Sequence, residues 1–283
     1  MLNLDQALVE VVFVAFDTET TGTGAGTRVI ELAGSRFVGD RLDGMFQTLI
    51  DPEQPIPAEA TAIHNIDDTM VRGQDKAPEA IRKFLQFAQG AVLVAHNASF
   101  DASMIGLELG RAKLPAPSLP ILDSLKAARR SYPGSSHSLD TLIETAGLPR
   151  QDARHRALGD AELVRHLVRR LTEILGGDRA PLSKLVECAG GIETFEKYLP
   201  QEPTLPFALK LLADAARSQT KVNLHLDTGG TKTQQKIVSP RLLYSWYGTD
   251  VLEAYCPDEG VVKTFRLDKI SRVEKGASSG FLF

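Results

Sequence analysis

"EVVFVAFDTETTG", residues 10–22, is the stretch on which the fold turns. From Val11 to Phe16 the run is wholly apolar and predicts a buried strand. It ends on two acids, Asp17 and Glu19. Side chains two apart on a strand share a face, so both carboxylates point one way and Thr18 the other. Like charges side by side raise each other's pKa, and burying a charge costs several kcal/mol unless it is compensated. A bound cation would resolve the conflict; so would a strand frayed into a solvated turn at "TGTGAG". Two acids alone do not decide between these readings.

Working outward, "VFVAFDTE", "RVIELAGSRFVGD" and "RLDGMFQTLID" read as three successive strands in a meander. "KAPEAIRKFLQFAQG" has Ile81, Phe84, Leu85 and Ala88 at helical spacing and stops at Gly90. "AVLVAH" predicts a fourth strand, followed by a helix over roughly Ser99 to Arg111. "LPILDS" predicts a short fifth strand. "SLDTLIETAG" and "RALGDAELVRHLVRRLTEILGG" predict helices, the second closed by Gly176-Gly177. Strands first in a meander, then alternating with helices, give an α/β fold with a mixed sheet. Beyond Gly176 the texture changes. "PQEPTLP" breaks any helix, and short alternating runs such as "KVNLHLDT" and "DVLEAYC" then predict a small, mostly β module. The boundaries so read are 8–177, a helical linker 178–206, and 207–283.

The 283 residues are 43% hydrophobic and 24% charged, which fits one large domain or two unequal ones. No run approaches the roughly 18 apolar residues of a membrane span, and "MLNLDQ" lacks a basic leader, so the expectation is a cytoplasmic protein without membrane contact. Cys188 and Cys256 lack metal or disulfide spacing. The net charge of −4 is uneven: residues 205–283 carry 11 Lys and Arg against 8 Asp and Glu, the remainder 21 against 28. An acidic front part suits a nucleic-acid binder poorly on charge alone, and better if several acids hold divalent cations.

Further acids favour that reading. "VLVAHNASFD" ends a strand in His96-Asn97 and enters a helix with Asn97 or Ser99 as N-cap. Asp101 follows in the first turn, on the stripe continued by Met104 and Ile105. In "HRALGDAELVRHLVRRL" the apolar stripe is Leu163, Val164, Leu167, Val168 and Leu171, and four residues before Val164 stands Asp160. An acid in line with a core-facing stripe is a costly placement for a merely solvated helix. Asp17, Glu19, Asp101 and Asp160 are thus each aimed inward from a strand end or helix start. All-oxygen ligation suits Mg²⁺ or Mn²⁺, and four acids suit a pair of ions about 3.5–4 Å apart. His155, five residues before Asp160, is placed to accept a proton near neutral pH.

"FDTETTG", "VAHNASFD" and "HRALGDAE", in this order, resemble the three motifs of the DEDDh (DnaQ-like) 3′–5′ exonucleases. "IPAEATAIHNIDDTMV", "ILDSLKAARR" and "SLDTLIETAGLP" look like connecting segments of the proofreading exonuclease subunits of bacterial DNA polymerase III. The resemblance spans about residues 10–176. It implies an RNase H-like fold, a mixed five-stranded sheet flanked by helices. It also implies a two-metal hydrolysis of terminal phosphodiesters, with Mg²⁺ or Mn²⁺ held by Asp17, Glu19, Asp101 and Asp160 and with His155 as general base. Thr18, Thr20 and Thr21 would meet the terminal nucleotide, with His64 and Asn97 as further contacts; at His64-Asn65 the family usually has His-Gly. The implied substrate is DNA with a single-stranded or accessible 3′ end, RNA being the alternative, and the implied partner a polymerase or repair protein. "VSPRLLYSWYGTDVLEAYCPDEGVVKTFRLDKISRVE" resembles a WYL domain, which implies an SH3-like β-barrel. In that module Arg241, Lys263, Arg266 and Lys269 are candidates for a basic surface, with Trp246 or Tyr247 as a stacking platform. A rival reading from another class makes the protein a nucleic-acid-binding regulator on a non-catalytic exonuclease scaffold.

Overall fold

The computed structural model describes residues 2–132, 134, 136–146, 156–227 and 233–276. They form two units, residues 1–22 with 27–199 and residues 23–26 with 200–283. In the first, β1 (Val12–Thr20), β2 (Val29–Val38) and β3 (Arg41–Leu49) make an antiparallel meander. The chain then crosses through α1 (Ala58–His64), α2 (Asp68–Val71) and α3 (Ala77–Phe87) to β4 (Val92–Ala95), which pairs parallel with β1. After α4 (Ala98–Arg111) comes β5 (Ile121–Asp123), parallel to β4, followed by α5 (Ser124–Ser131), α6 (Leu139–Ala146), α7 (Ala157–Ile174) and α8 (Leu182–Cys188). The strand order β3-β2-β1-β4-β5 places β1 at the centre of a mixed five-stranded sheet.

That central place explains the apolar run. One face of β1 carries Phe13 and Ala15 into a core with Val164, Leu167, Val168 and Leu171 of α7. From the other face Phe16 packs on Phe84 of α3, ring centroids 5.8 Å apart. A strand covered on both faces reads as continuous hydrophobicity. Each fully buried aliphatic side chain in such a core stabilises by about 1.5–3 kcal/mol. The α7 stripe is therefore held firmly against β1. The helix stops where expected: Gly177, at φ +82°, donates its N–H to Thr172 O at 2.9 Å.

Three short helices were not expected from the sequence. α1, α2 and α5 span 7, 4 and 8 residues, so each shows about two turns of any apolar repeat at most. Two carry local signals nonetheless, because Asp67 caps the Thr69 and Met70 amides, and Asp123 caps those of Leu125 and Lys126. Within the expected linker 178–206, Leu182 and Leu185 of α8 and Ala189 join the first core.

In the second unit, α9 (Lys210–Ser218) precedes β6 (Val222–Asp227), β7 (Thr233–Trp246), β8 (Thr249–Cys256), β9 (Val261–Arg266) and β10 (Ile270–Lys275). All pair antiparallel in the order β10-β6-β7-β8-β9. Pro240 sits inside β7 beside a register shift, where a missing donor is tolerated. Leu212, Leu224, Val238, Leu252 and Cys256 build the core. No described helix is long and apolar enough to cross a membrane.

Candidate metal centre

The end of β1 presents Asp17 and Glu19 on the α7 side of the sheet, and the first turn of α7 brings Asp160 to meet them. One carboxylate oxygen from each of the three lies within 4.8 Å of the others. Asp101, in the first turn of α4, stands beside this trio rather than in it. It is buried, and its Oδ1 accepts the Thr18 N–H at 3.0 Å and the Thr18 hydroxyl at 2.7 Å. So the intervening Thr18, whose side chain points to the other face, ties β1 to α4.

The electrostatics of the group are those of acids gathered without enough positive charge. Burial, followed by the charges of Asp101, Asp160, Glu19 and Glu31, holds Asp17 well above the usual carboxylate range. Glu19 is pushed up to about 8 by burial and by Asp160, Glu31 and Asp101, with Arg156 pulling the other way. Asp101 is raised to about 7 by burial, against the lowering effect of its hydrogen bonds from Thr18. Neither Asp17 nor Glu19 forms an ion pair with a described residue. Converging carboxylate oxygens with suppressed ionisation suit a hard divalent cation, whose charge would reverse the shifts.

Thr18, Thr20 and Thr21 are all buried, and their hydroxyls are used within the protein. The Thr20 hydroxyl donates to Gly22 O at 2.7 Å, and Thr21 Oγ1 accepts the Arg28 N–H at 3.0 Å. What this segment offers a ligand is therefore backbone. His64 is 2% exposed; its Nδ1 accepts the Ile66 N–H at 3.0 Å. Its Nε2 makes no hydrogen bond, although the Thr20 backbone lies near enough to favour the charged ring against burial. Asn65, where the resemblance expects glycine, adopts the left-handed conformation at φ +57°, which asparagine tolerates. Asn97 is exposed and also left-handed, at φ +67°; it begins α4 without a side-chain cap, and its Oδ1 accepts the Ser99 hydroxyl. His155 lies outside the described residues.

Two residues at the centre were missed. Glu31 of β2, fully buried, sits opposite Glu19 in the strand register and is paired with Arg156, the residue before α7. The signal was present as a lone acid inside the apolar strand "RVIELAG".

In the second unit, Lys263 pairs with Glu259, Arg266 is bidentate on Asp268, and the Arg241 guanidinium lies 5.5 Å from the Tyr255 ring centroid. Much of the expected basic surface is thus matched locally. Tyr247 is exposed and stands edge-on to Trp246 at 4.9 Å.

A family model described as Exonuclease (RNase T) matches residues 14–167, and a WYL domain model matches residues 208–275. The chain is 43% identical over 164 residues to a DNA polymerase III subunit epsilon-like protein of Rhodobacter capsulatus, covering 54% of this chain and 22% of that one. It is 36% identical over 163 residues to a PolC-type DNA polymerase III of Streptococcus thermophilus, covering 57% and 11%. The chain thus spans less than a quarter of either relative. Among solved structures, Exonuclease X in complex with 5′ overhanging duplex DNA superposes with a TM-score of 0.52 at 26% identity, over 63% of this chain and 99% of that one. The nuclease domain of 3′hExo, a DEDDh family member bound to rAMP, shares the fold with a TM-score of 0.53 at 15% identity, over 58% and 92%.

Proposed function

This chain belongs to the exonuclease (RNase T) family, and we propose that it removes nucleotides from the 3′ end of DNA using two divalent cations, Mg²⁺ or Mn²⁺. The observation that carries this reading is the meeting of Asp17, Glu19 and Asp160 within 4.8 Å of one another, on elements far apart in sequence. When bound, the cations supply Lewis acidity at the phosphodiester and stabilise the charge that builds up as it is cut. Asp17, Glu19 and Asp160 would hold one cation, and Asp101, steadied by Thr18, would hold the second together with Asp17. His155 takes the proton of the attacking water, a role worth about 10²–10⁴-fold in rate. The backbone of Thr18, Thr20 and Thr21 lies along the terminal nucleotide, with His64 and Asn97 as further contacts; the unpartnered Nε2 of His64 is suited to such a ligand. We read the substrate as a single-stranded or accessible 3′ end, the setting as the cytoplasm, and a polymerase or repair protein as the partner, since relatives carry DNA polymerase III names. The domain boundaries 8–177 and 207–283 are part of this reading. The WYL-like module would add nucleic-acid affinity.

The test uses 3′- and 5′-labelled DNA and RNA oligomers with Mg²⁺, Mn²⁺ or EDTA. Stepwise shortening of DNA from the 3′ end, abolished by EDTA and by Asp17→Ala, is expected. Internal cuts, or activity that survives both controls, would refute the assignment, and faster shortening of RNA would move the substrate to RNA. For His155→Ala we expect a loss of about 10²–10⁴-fold in turnover with Mn²⁺ binding retained. Lost Mn²⁺ binding would make His155 a ligand instead.

A further inference from the structure

Glu31 is an anomaly on its strand. It is fully buried in β2, directly opposite Glu19. Opposed residues of an antiparallel pair share a face, and like charges there repel. Its carboxylate is satisfied from three directions. Arg156 grips it with Nε at 3.1 Å and Nη2 at 2.6 Å; Gln47 Nε2 donates at 2.8 Å; and the Ala157 N–H donates at 3.0 Å.

The last bond bears on α7. The first amides of a helix lack partners within it, and Arg156, at the N-cap of α7, supplies no side-chain cap. Glu31 therefore caps α7 from the neighbouring sheet. One turn further on, the Asp160 N–H donates to Arg156 O at 3.1 Å, so the residue gripped by Glu31 begins the turn that carries Asp160. An unbroken path runs from β2 through Glu31 and Arg156 to Asp160. The guanidinium also offsets the charge that Glu31 would otherwise add next to Glu19.

We infer that Glu31 and Arg156 are positioning residues, a buried latch that fixes the start of α7 so that Asp160 meets Asp17 and Glu19 at cation-binding distance. The inference rests on reading this cluster of acids as a metal-dependent nuclease centre. Stability alone is a weak reason for such a pair, because a buried ion pair can often be replaced by apolar residues at little net loss. Its worth lies in geometry, where a bidentate fork is more exacting than a point charge.

The experiment titrates Mn²⁺ calorimetrically into the full chain and measures kcat, KM and Tm for wild type, Glu31→Gln, Arg156→Gln and the double variant. Val168→Ala, a core change on the same helix, serves as the stability control. Each single latch variant should weaken Mn²⁺ binding by about tenfold or more, the scale of losing a partner that orients a metal ligand. kcat should fall with it, KM for the oligomer should hold, and the double variant should be no worse than either single. Val168→Ala should lower Tm while leaving Mn²⁺ affinity within about twofold. Should the Gln variants not fold, Arg156→Lys decides: weakened Mn²⁺ binding supports the latch, and wild-type affinity overturns it. Unchanged affinity in the single variants, additive losses in the double, or equal losses in Val168→Ala overturn it too. If wild type binds Mn²⁺, the variants behave as expected and no oligomer is shortened, the nuclease reading fails and the latch stands. If wild type binds no Mn²⁺, both fall.

Discussion

At the end of β1, burial holds Asp17, Glu19 and Asp101 above the ordinary carboxylate range, helped at Asp17 and Glu19 by neighbouring acids, while Glu193 near the end of the same unit is held down at about 2. Burial would push Glu193 up as well, but hydrogen bonds from Lys197, Tyr198 and Lys126 outweigh it. Lys197 Nζ lies at 2.8 Å and Lys126 Nζ at 2.9 Å. Glu108 is likewise held by cations of the chain, Arg28 at 2.8 Å and Arg111 at 3.0 Å. The contrast separates two uses of an acid. Where cations of the protein surround a carboxylate, it fastens elements together; where acids gather with one guanidinium at their edge, the missing charge has to come from outside.

The largest expected effect comes from removing an acid of the second kind. Asp17→Asn should lower turnover by about a thousandfold while raising the Tm of the metal-free chain near pH 8, because the cost of burying this carboxylate among other acids has gone. Activity and metal-free stability then move in opposite directions, the mark of strain held at a functional site. A loss of both together would mean that Asp17 is a structural acid like Glu193.

A smaller effect, without mutation, follows from the direction of the shifts. Glu19 has an ordinary value of 4.5 and is raised to about 8, and Asp101 goes from 3.8 to about 7. The fold thus binds protons that the unfolded chain releases. Their stabilising contribution is complete below about pH 4 and is lost as pH rises through about 7 to 8. In EDTA, Tm should therefore fall between pH 5 and pH 8, and Mg²⁺ or Mn²⁺ should restore it at pH 8 by substituting for the protons. A metal-free Tm that rises across this interval would show that these acids are neutralised within the chain.

How far this contrast was legible beforehand differs between fold and site. β1 announced itself because burial on both faces leaves no polar alternation, and α7 because eighteen residues give its stripe room to repeat. Asp17, Glu19 and Asp160 were legible as acids in the wrong place, one pair on an apolar strand and one residue on an apolar stripe. Asp101 was legible in the same way, but its separation from the trio was not, since the Thr18 hydroxyl that holds it is 83 positions away in the chain. Glu31 and Arg156 went unread for a related reason. A single acid in a strand looks like an ordinary exposed residue until the register sets it opposite Glu19. Nor could Glu193 be told from any surface glutamate, because its three partners hold it only once Ile121 of β5 and Glu193 exchange backbone hydrogen bonds and the 3-10 turn Phe195–Tyr198 forms.

The smallest expected effect sharpens the contrast from the other side. Glu193→Gln removes a matched acid, so turnover should stay within about twofold of wild type. Tm at pH 7 should drop by an amount corresponding to about 1–2 kcal/mol, the scale of weakened charge-assisted hydrogen bonds to a partly exposed group. Its pH signature is opposite in sign to that of Glu19 and Asp101. A depressed carboxylate contributes stability that is complete above its ordinary value of 4.5 and is lost as pH falls through about 2. The difference in Tm between wild type and Glu193→Gln should therefore be largest near pH 7 and vanish toward pH 2, whereas Glu19 and Asp101 leave their mark between pH 5 and 8. A mutant whose Tm deficit instead grew on acidification, or whose turnover collapsed, would place Glu193 among the functional acids and erase the distinction between acids that fasten and acids that await a cation.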